Sequence, residues 1–177
     1  LDLADPIKTV HLVDGQLRAR TIIIATGCAP KKLGVSGEVE LTGRGVSYCA
    51  VCDGPFFRDQ EVAVIGGGDT AVEEAIYLTR FAAKVYLIHR RDSLRAVRVL
   101  QEQVLRNDKI QMVWNSVVTE IHGGPQGVEA LTIHNRVSGS TERLPVNGIF
   151  VFVGMNPNTG FLPSNLELDA TGFLVTD

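Results

Sequence analysis

An α/β fold built on a parallel sheet is predicted by three features of the sequence. Residues 61–91 hold a short apolar, β-branched run (62–65, VAVI), a helical stretch whose small and apolar face is Thr70, Ala71, Ala75, Ile76 and Leu78, and a second apolar run (84–89). Short continuous hydrophobic runs of this kind are what strands buried on both faces require. Two such runs joined by a helix within about 30 residues form parallel neighbours with a right-handed crossover. The third feature lies further on. Residues 116–121, 128–135 and 141–144 read as short strands with turns at Gly123-Gly124 and Ser138-Gly139, which predicts an antiparallel β-meander covering part of the parallel sheet.

The remaining elements follow in chain order. Residues 9–13 alternate, Asp14-Gly15 is a hairpin turn signal, and residues 16–25 continue as strand, ending in the fully apolar run 21–25 (TIIIA). Residues 28–45 are loop-like, punctuated by Pro30, Gly34, Gly37, Gly43 and Gly45. Ser47 is placed to cap a short helix. Beyond the βαβ unit, residues 94–105 have helical spacing, Asn107-Asp108 ends that helix, and 110–114 reads as a third parallel strand. Residues 149–153 form another buried strand; 155–177 lose periodicity apart from a possible strand at 173–175.

Size and charge bound the function. A chain of 177 residues allows one domain or a little more. A composition of 45% hydrophobic and 21% charged residues is ordinary for a globular protein, and a net charge of −3 gives no argument for nucleic-acid binding. No apolar run approaches the roughly 20 residues of a membrane span and no signal peptide is visible, so no membrane partner and a cytoplasmic location are expected. Since the first residue is Leu1, an upstream targeting segment stays open.

Two motifs carry chemistry. Gly66-x-Gly68-x-x-Ala71 matches G-x-G-x-x-G/A between a strand and a helix. The first glycine makes the tight turn, the second lets a pyrophosphate approach the backbone, and the small third residue lets helix and strand pack closely. Free N–H groups at the helix start then face the phosphate charge. A plain glycine turn competes with this reading, but the strand–helix context favours a dinucleotide. The second strand ends at His89-Arg90-Arg91, with Arg95 shortly after, where an NAD site would place an acid. Guanidinium groups can bind a 2′-phosphate bidentately, so NADP(H) is expected over NAD(H). A solvated basic helix start is the competing reading, and Asp92 could neutralise part of the cluster.

The second motif is Cys49-Ala50-Val51-Cys52-Asp53, just before the first strand of the βαβ unit. Cysteines three apart on a helix share a face and can bridge. Cys49, at the positive end, should be the more acidic thiol, and Asp53 could move the proton that thiol–disulfide exchange requires. Zinc would need further ligands, and His11, His89, His122 and His134 are scattered. Two inert buried cysteines remain an alternative; Cys28, alone in a loop, is given no role. A hydride donor beside a disulfide implies a flavin between them.

Together these residues, Cys49 to Gly54, residues 62–71, and His89-Arg90-Arg91-Asp92 with Arg95, make the chain resemble the low-molecular-weight thioredoxin reductases of bacteria and plants. Residues 21–27 (TIIIATG) resemble the last strand of an FAD domain before its crossover, and residues 154–159 resemble the return crossover. The resemblance implies electron flow from NADPH to FAD to the Cys49–Cys52 disulfide to thioredoxin, in a homodimer when full length. It implies Cys52 facing the flavin, Cys49 attacking thioredoxin and Asp53 as the acid–base group. Gly66, Gly68, Asp69, Thr70 and Glu73 would line the pyrophosphate and nicotinamide side, and His89, Arg90, Arg91 and Arg95 would hold the 2′-phosphate. An N-terminal FAD fingerprint and a C-terminal Gly-Asp flavin motif are absent. The expected organisation is therefore a fragment: residues 1–45 as the remnant of one FAD half, 46–155 as the NADPH domain with the CxxC, and 156–177 as the start of the other half. Alone it should bind NADP(H) without holding FAD, leaving the strand 21–25 without its sheet. Alternatives are a reductase of a peroxiredoxin-type acceptor, against which the arginines speak, and a non-catalytic NADP-binding module.

Overall fold

The structure is a computed structural model and describes residues 1–176. The chain divides into two compact units: a larger one, Lys31–Gly154, and a smaller one made of Leu1–Pro30 and the residues from Met155 on.

The smaller unit opens with β1 (Lys8–Leu12) and β2 (Gly15–Ala19), an antiparallel pair in which Val10 faces Leu17 and Leu12 faces Gly15. The expected strand 21–25 does not form: residues 21–27 have no assigned structure and Ile23 is 91% exposed. The reason is pairing. An all-apolar run gains from strand geometry only inside a sheet, where backbone groups are bonded and both faces are covered; among the described residues no strand lies beside it. β3 (Cys28–Pro30) follows, inside what the sequence presents as loop.

The larger unit supplies β4 (Val46–Ser47), the short helix α1 (Ala50–Asp53), a 3₁₀ turn (Gly54–Phe57), β5 (Glu61–Gly66), α2 (Asp69–Leu78), β6 (Lys84–Ile88), α3 (Arg98–Leu105), β7 (Ile110–Val113), β8 (Ser116–Gly124), β9 (Gly127–Asn135), β10 (Thr141–Pro145) and β11 (Gly148–Phe152). Its five-stranded sheet runs β4-β11-β5-β6-β7 with every pair parallel. The meander expected from the sequence is present as the antiparallel order β10-β9-β8. β12 (Met155–Pro157) then pairs antiparallel with β3, in the smaller unit.

Alternation along the parallel strands builds two cores. Ala63, Ile65, Tyr86, Ile88, Ile149 and Val151 face the meander, against Ile121, Leu131 and Ile133. Val62, Val64, Val85, Leu87 and Phe150 face the helices, against Ala71, Val72, Ala75 and Leu78 of α2 and Val104 of α3. Successive residues of a strand point to opposite faces, so each strand is apolar throughout because each face has its own cover.

Two local expectations are corrected. The cap of α1 is Cys49, whose sulfur accepts from the Cys52 N–H at 3.2 Å; Ser47 Oγ instead accepts from the Cys49 N–H at 3.0 Å. The helix expected over 94–105 begins only at Arg98. Residues 94–97 are tied elsewhere: the Val97 N–H donates to Asp69 Oδ1 at 2.7 Å and the Arg95 N–H to the Gly67 carbonyl at 2.7 Å. The segment before Val46 also belongs to the larger unit. Glu38, 1% exposed, accepts from the Leu33 and Gly34 N–H groups at 2.9 and 2.8 Å and from the Tyr48 hydroxyl at 2.8 Å. Burial first, and then the Glu38 carboxylate, push the Tyr48 hydroxyl up to about 12.

Candidate functional site

Both motifs lie off the carboxyl ends of strands in the same parallel sheet. Cys49 follows β4, the Gly66–Gly68 loop follows β5, and β11 runs between those strands. Neighbouring strands are about 4.8 Å apart, so the two motifs begin from strands about 10 Å apart on one sheet edge.

The glycine loop has the form its spacing requires. A Cβ at Gly66 would stand 2.5 Å from the Ala71 Cβ and 2.5 Å from the Phe152 carbonyl oxygen, which no larger residue can satisfy. Gly68, the extended N-cap residue of α2, has nothing within 4 Å of where its Cβ would be, and α2 has no side-chain cap. The first N–H groups of a helix have no partner within it, so this end is open to an anion. Thr70 and Glu73 are exposed on the first turns of α2. Asp69 is turned to the Val97 N–H and fixes the segment that carries Arg95.

Next to this loop is a cleft of about 370 Å³, whose walls include Lys31, Lys32, Gly66, Ile88, His89, Arg90, Arg95, Ser116, Phe152 and Val153. It holds four cationic side chains and no carboxylate. Arg90, Arg91 and Arg95 are exposed, and among the described residues none of them makes an ion pair. Their backbone is fixed, with the Arg91 carbonyl accepting from the Asn115 N–H at 3.0 Å. Arg91 is not among the residues lining the cleft, whereas Arg90 and Arg95 are.

His89 differs from the three arginines. It is 5% exposed, and its Nδ1 lies 2.9 Å from the Gly66 carbonyl oxygen. A neutral ring donating from Nδ1 leaves Nε2 as an acceptor, and Nε2 is buried without a hydrogen-bond partner among the described residues. A Cβ at Gly67 would overlap the imidazole. His89 thus sits beneath the loop and holds it. Burial chiefly lowers its pKa below 6.5, with Arg91 and Arg95 adding to that and the Gly66 carbonyl opposing it. The unfolded chain therefore binds more protons, so the stability this group contributes is complete above 6.5 and is lost as pH falls through 6.5 toward the folded value. Thermal midpoints measured from about pH 7.5 down to about 5 should decline, and His89→Gln should flatten that part of the profile. Equal slopes for both proteins would remove His89 as the cause.

The second motif is a bonded pair: Cys49 and Cys52 form a disulfide with Cα atoms 5.3 Å apart. Cys52 is exposed, as are Val51 at 59% and Phe56 at 77%, while Cys28 is a free, exposed thiol. Asp53 is half-buried and lines a separate open cleft of about 660 Å³ with Arg44, Phe56 and Phe57, so solvent reaches its carboxylate.

The structure places Gly66, His89, Arg90 and Arg95 at one cleft, with Gly68 on the adjoining loop, and Cys49, Cys52 and Asp53 together off β4. Lys31 and Lys32 carry no signal in the sequence, because no local spacing connects them to a motif about 35 positions later. Gly67 stands at a variable position of the fingerprint, so only the buried imidazole against it explains it.

The family of pyridine nucleotide-disulphide oxidoreductases matches residues 3–177. A thioredoxin reductase from Peptoclostridium litorale is 48% identical over the whole chain, which covers 58% of that protein. A thioredoxin reductase from Listeria monocytogenes is 50% identical over 96% of the chain, covering 53% of that protein. The crystal structure of Lactococcus lactis thioredoxin reductase superposes with a TM-score of 0.91 at 43% identity, over 99% of this chain and 58% of that one. The chain therefore spans little more than half the length of these relatives.

Proposed function

The chain belongs to the pyridine nucleotide-disulphide oxidoreductase family, and from that premise we propose that it is the NADP-binding and redox-dithiol part of a thioredoxin reductase. One observation carries this reading: a CxxC disulfide and an open glycine loop on the same edge of one parallel sheet, separated by a single strand. In the proposed organisation residues 46–155 are the NADPH domain, and 1–45 with 156–177 are the crossovers and the parts of the two halves of an FAD domain, the incoming crossover from Lys31 packing with the larger unit.

The residues present fit a phosphorylated dinucleotide. The open side of Gly68, the uncapped start of α2 and a cleft of cations without carboxylates all favour a polyanion. Gly66, Gly68 and Thr70 would cradle the pyrophosphate, with Asp69 and Glu73 shaping the approach. Arg90 and Arg95, with Arg91 within reach, would take the 2′-phosphate. His89 acts here from below, by fixing the Gly66 carbonyl. NADPH, when bound, would supply a hydride, and the flavin implied for the longer protein would supply the two-electron link between that hydride and the disulfide.

The dithiol chemistry belongs to this chain. Reduction of the Cys49–Cys52 bond takes two electrons and two protons and leaves two thiols. The Cys49 thiolate, at the start of α1, attacks one sulfur of the acceptor disulfide; that S–S bond breaks as a mixed disulfide forms. The Cys52 thiolate then attacks the Cys49 sulfur, which re-forms the internal bond and releases the acceptor as a dithiol. Asp53, next to Cys52 in the chain, takes and returns the proton. The acceptor is thioredoxin, and the working protein is a homodimer of the cytoplasm. Among the described residues no helix is long and apolar enough to cross a membrane.

Two measurements test this. Labelling the unfolded, oxidised chain should count one thiol, Cys28, and all three cysteines after reduction. The longer protein containing this chain should oxidise NADPH only when thioredoxin or another disulfide acceptor is present. An absence of thioredoxin-dependent turnover would end the proposal.

A further inference from the structure

The arginines after β6 account for one end of the cationic cleft; the other end is built by the segment that enters the unit. Lys31 and Lys32 are exposed and line the same cleft as Gly66, Arg90 and Arg95. Their backbone is held on both sides. The Lys31 N–H donates to the Gly154 carbonyl at 2.9 Å, just past the end of β11. Beyond Lys32, the Leu33 and Gly34 N–H groups are held by the buried Glu38 carboxylate. The Lys31 stem also lies against Gly154, where a Cβ would stand 3.4 Å from the Lys31 Cδ. Among the described residues neither ammonium group has a carboxylate partner. Two cations are thus positioned without a protein counter-charge at the wall of a cleft that contains no acid.

Strand order decides which part of a dinucleotide they meet. The neighbours β11, β5 and β6 are about 4.8 Å apart, so the cleft runs from the Lys31 side, past the glycine loop, to Arg90. The arginines stand at the β6 end, where the adenosine ribose belongs. The lysines stand on the opposite side of the loop, with β5 between. We propose that Lys31 and Lys32 bind the pyrophosphate of the coenzyme, the anion common to NADPH and NADH, while Arg90 and Arg95 read the 2′-phosphate. This rests on the coenzyme reading above and adds a grip that is indifferent to the 2′-phosphate.

The test compares two double variants of the 177-residue chain, Lys31→Ala/Lys32→Ala and Arg90→Ala/Arg91→Ala, in titrations with NADPH and with NADH at several salt concentrations. The lysine variant should lose about tenfold in affinity for both coenzymes alike, the worth of one charge-assisted contact net of solvent screening, with a shallower salt dependence than the parent. Its thermal midpoint should not move, since both side chains are exposed. No loss for either coenzyme overturns the inference while leaving the arginine assignment intact. A loss confined to NADPH also overturns it, because the lysines would then serve the 2′-phosphate. A parent chain that binds neither coenzyme removes the coenzyme reading and this inference with it.

Discussion

Replacing Arg90 and Arg91 together by alanine is expected to weaken NADPH binding by about 2–4 kcal/mol, a loss of roughly 30- to 1,000-fold, and to leave NADH binding almost unchanged. The asymmetry follows from the ligand. Only NADPH carries the 2′-phosphate, and a guanidinium can bond two of its oxygens at once. These side chains have no competing carboxylate among the described residues, so nothing replaces the lost attraction in the free protein. Their removal should not unfold the chain, because both are exposed and the surrounding backbone is held by main-chain bonds such as Asn115 N–H to the Arg91 carbonyl. Of the pair, Arg90 lines the cleft and Arg91 does not, so the single variant of Arg90 should account for most of the loss. Calorimetric titration with both coenzymes measures this directly. Equal losses for NADPH and NADH would show that the arginines do not read the 2′-phosphate.

Gly67→Ala should damage both the fold of the larger unit and its glycine loop. The new Cβ would overlap the imidazole of His89, which is 5% exposed and anchored to the Gly66 carbonyl. The ring cannot move aside without breaking that bond and entering the packed face beneath. Overpacking of this kind costs about 1–3 kcal/mol, which lowers the thermal midpoint by several degrees in a domain of this size. Coenzyme binding should fall as well, because the loop that displaces His89 is the one that faces the phosphates. His89→Ala would make room for the methyl group. The double variant Gly67→Ala/His89→Ala should therefore be less destabilised than the sum of the two single changes. Strict additivity would mean that the loop relaxes around the methyl without involving the histidine.

The two cases differ in how far the sequence alone could lead to them. The arginines were legible because they stand at a fixed place in a local pattern, the end of the second strand of a βαβ unit. The cysteine pair was legible for the same reason: its members are three residues apart, and the structure closes them into a disulfide. Gly67 was not legible, because its constraint comes from a residue on the next strand. The same holds for Ser47 and Cys49. Both are within reach of the first turn of α1, and the choice of the sulfur as cap depends on how the disulfide orients it. The start of α3 shows the opposite case, a strong helical period overruled: Asp69 and Gly67 bind the N–H groups of Val97 and Arg95, so residues 94–97 serve the loop and the helix waits until Arg98.

What the residues fixed on their own was every feature carried by short-range chemistry. The apolar runs specified parallel strands, the glycine spacing specified a tight turn into a helix, and alternating polarity with glycine turns specified the meander. Period and turn preference act over a few residues and need no partner to be read. What required the folded chain was everything that depends on a neighbour distant in sequence. Residues 21–25 have all the apolarity of a strand and form none, since β structure requires a second strand to bond. Lys31 and Lys32 meet Arg90 and Arg95 only because Gly154 and Glu38 hold their segment at the sheet edge. Charge in a cleft is set by which side chains converge there, and convergence is a property of the tertiary structure.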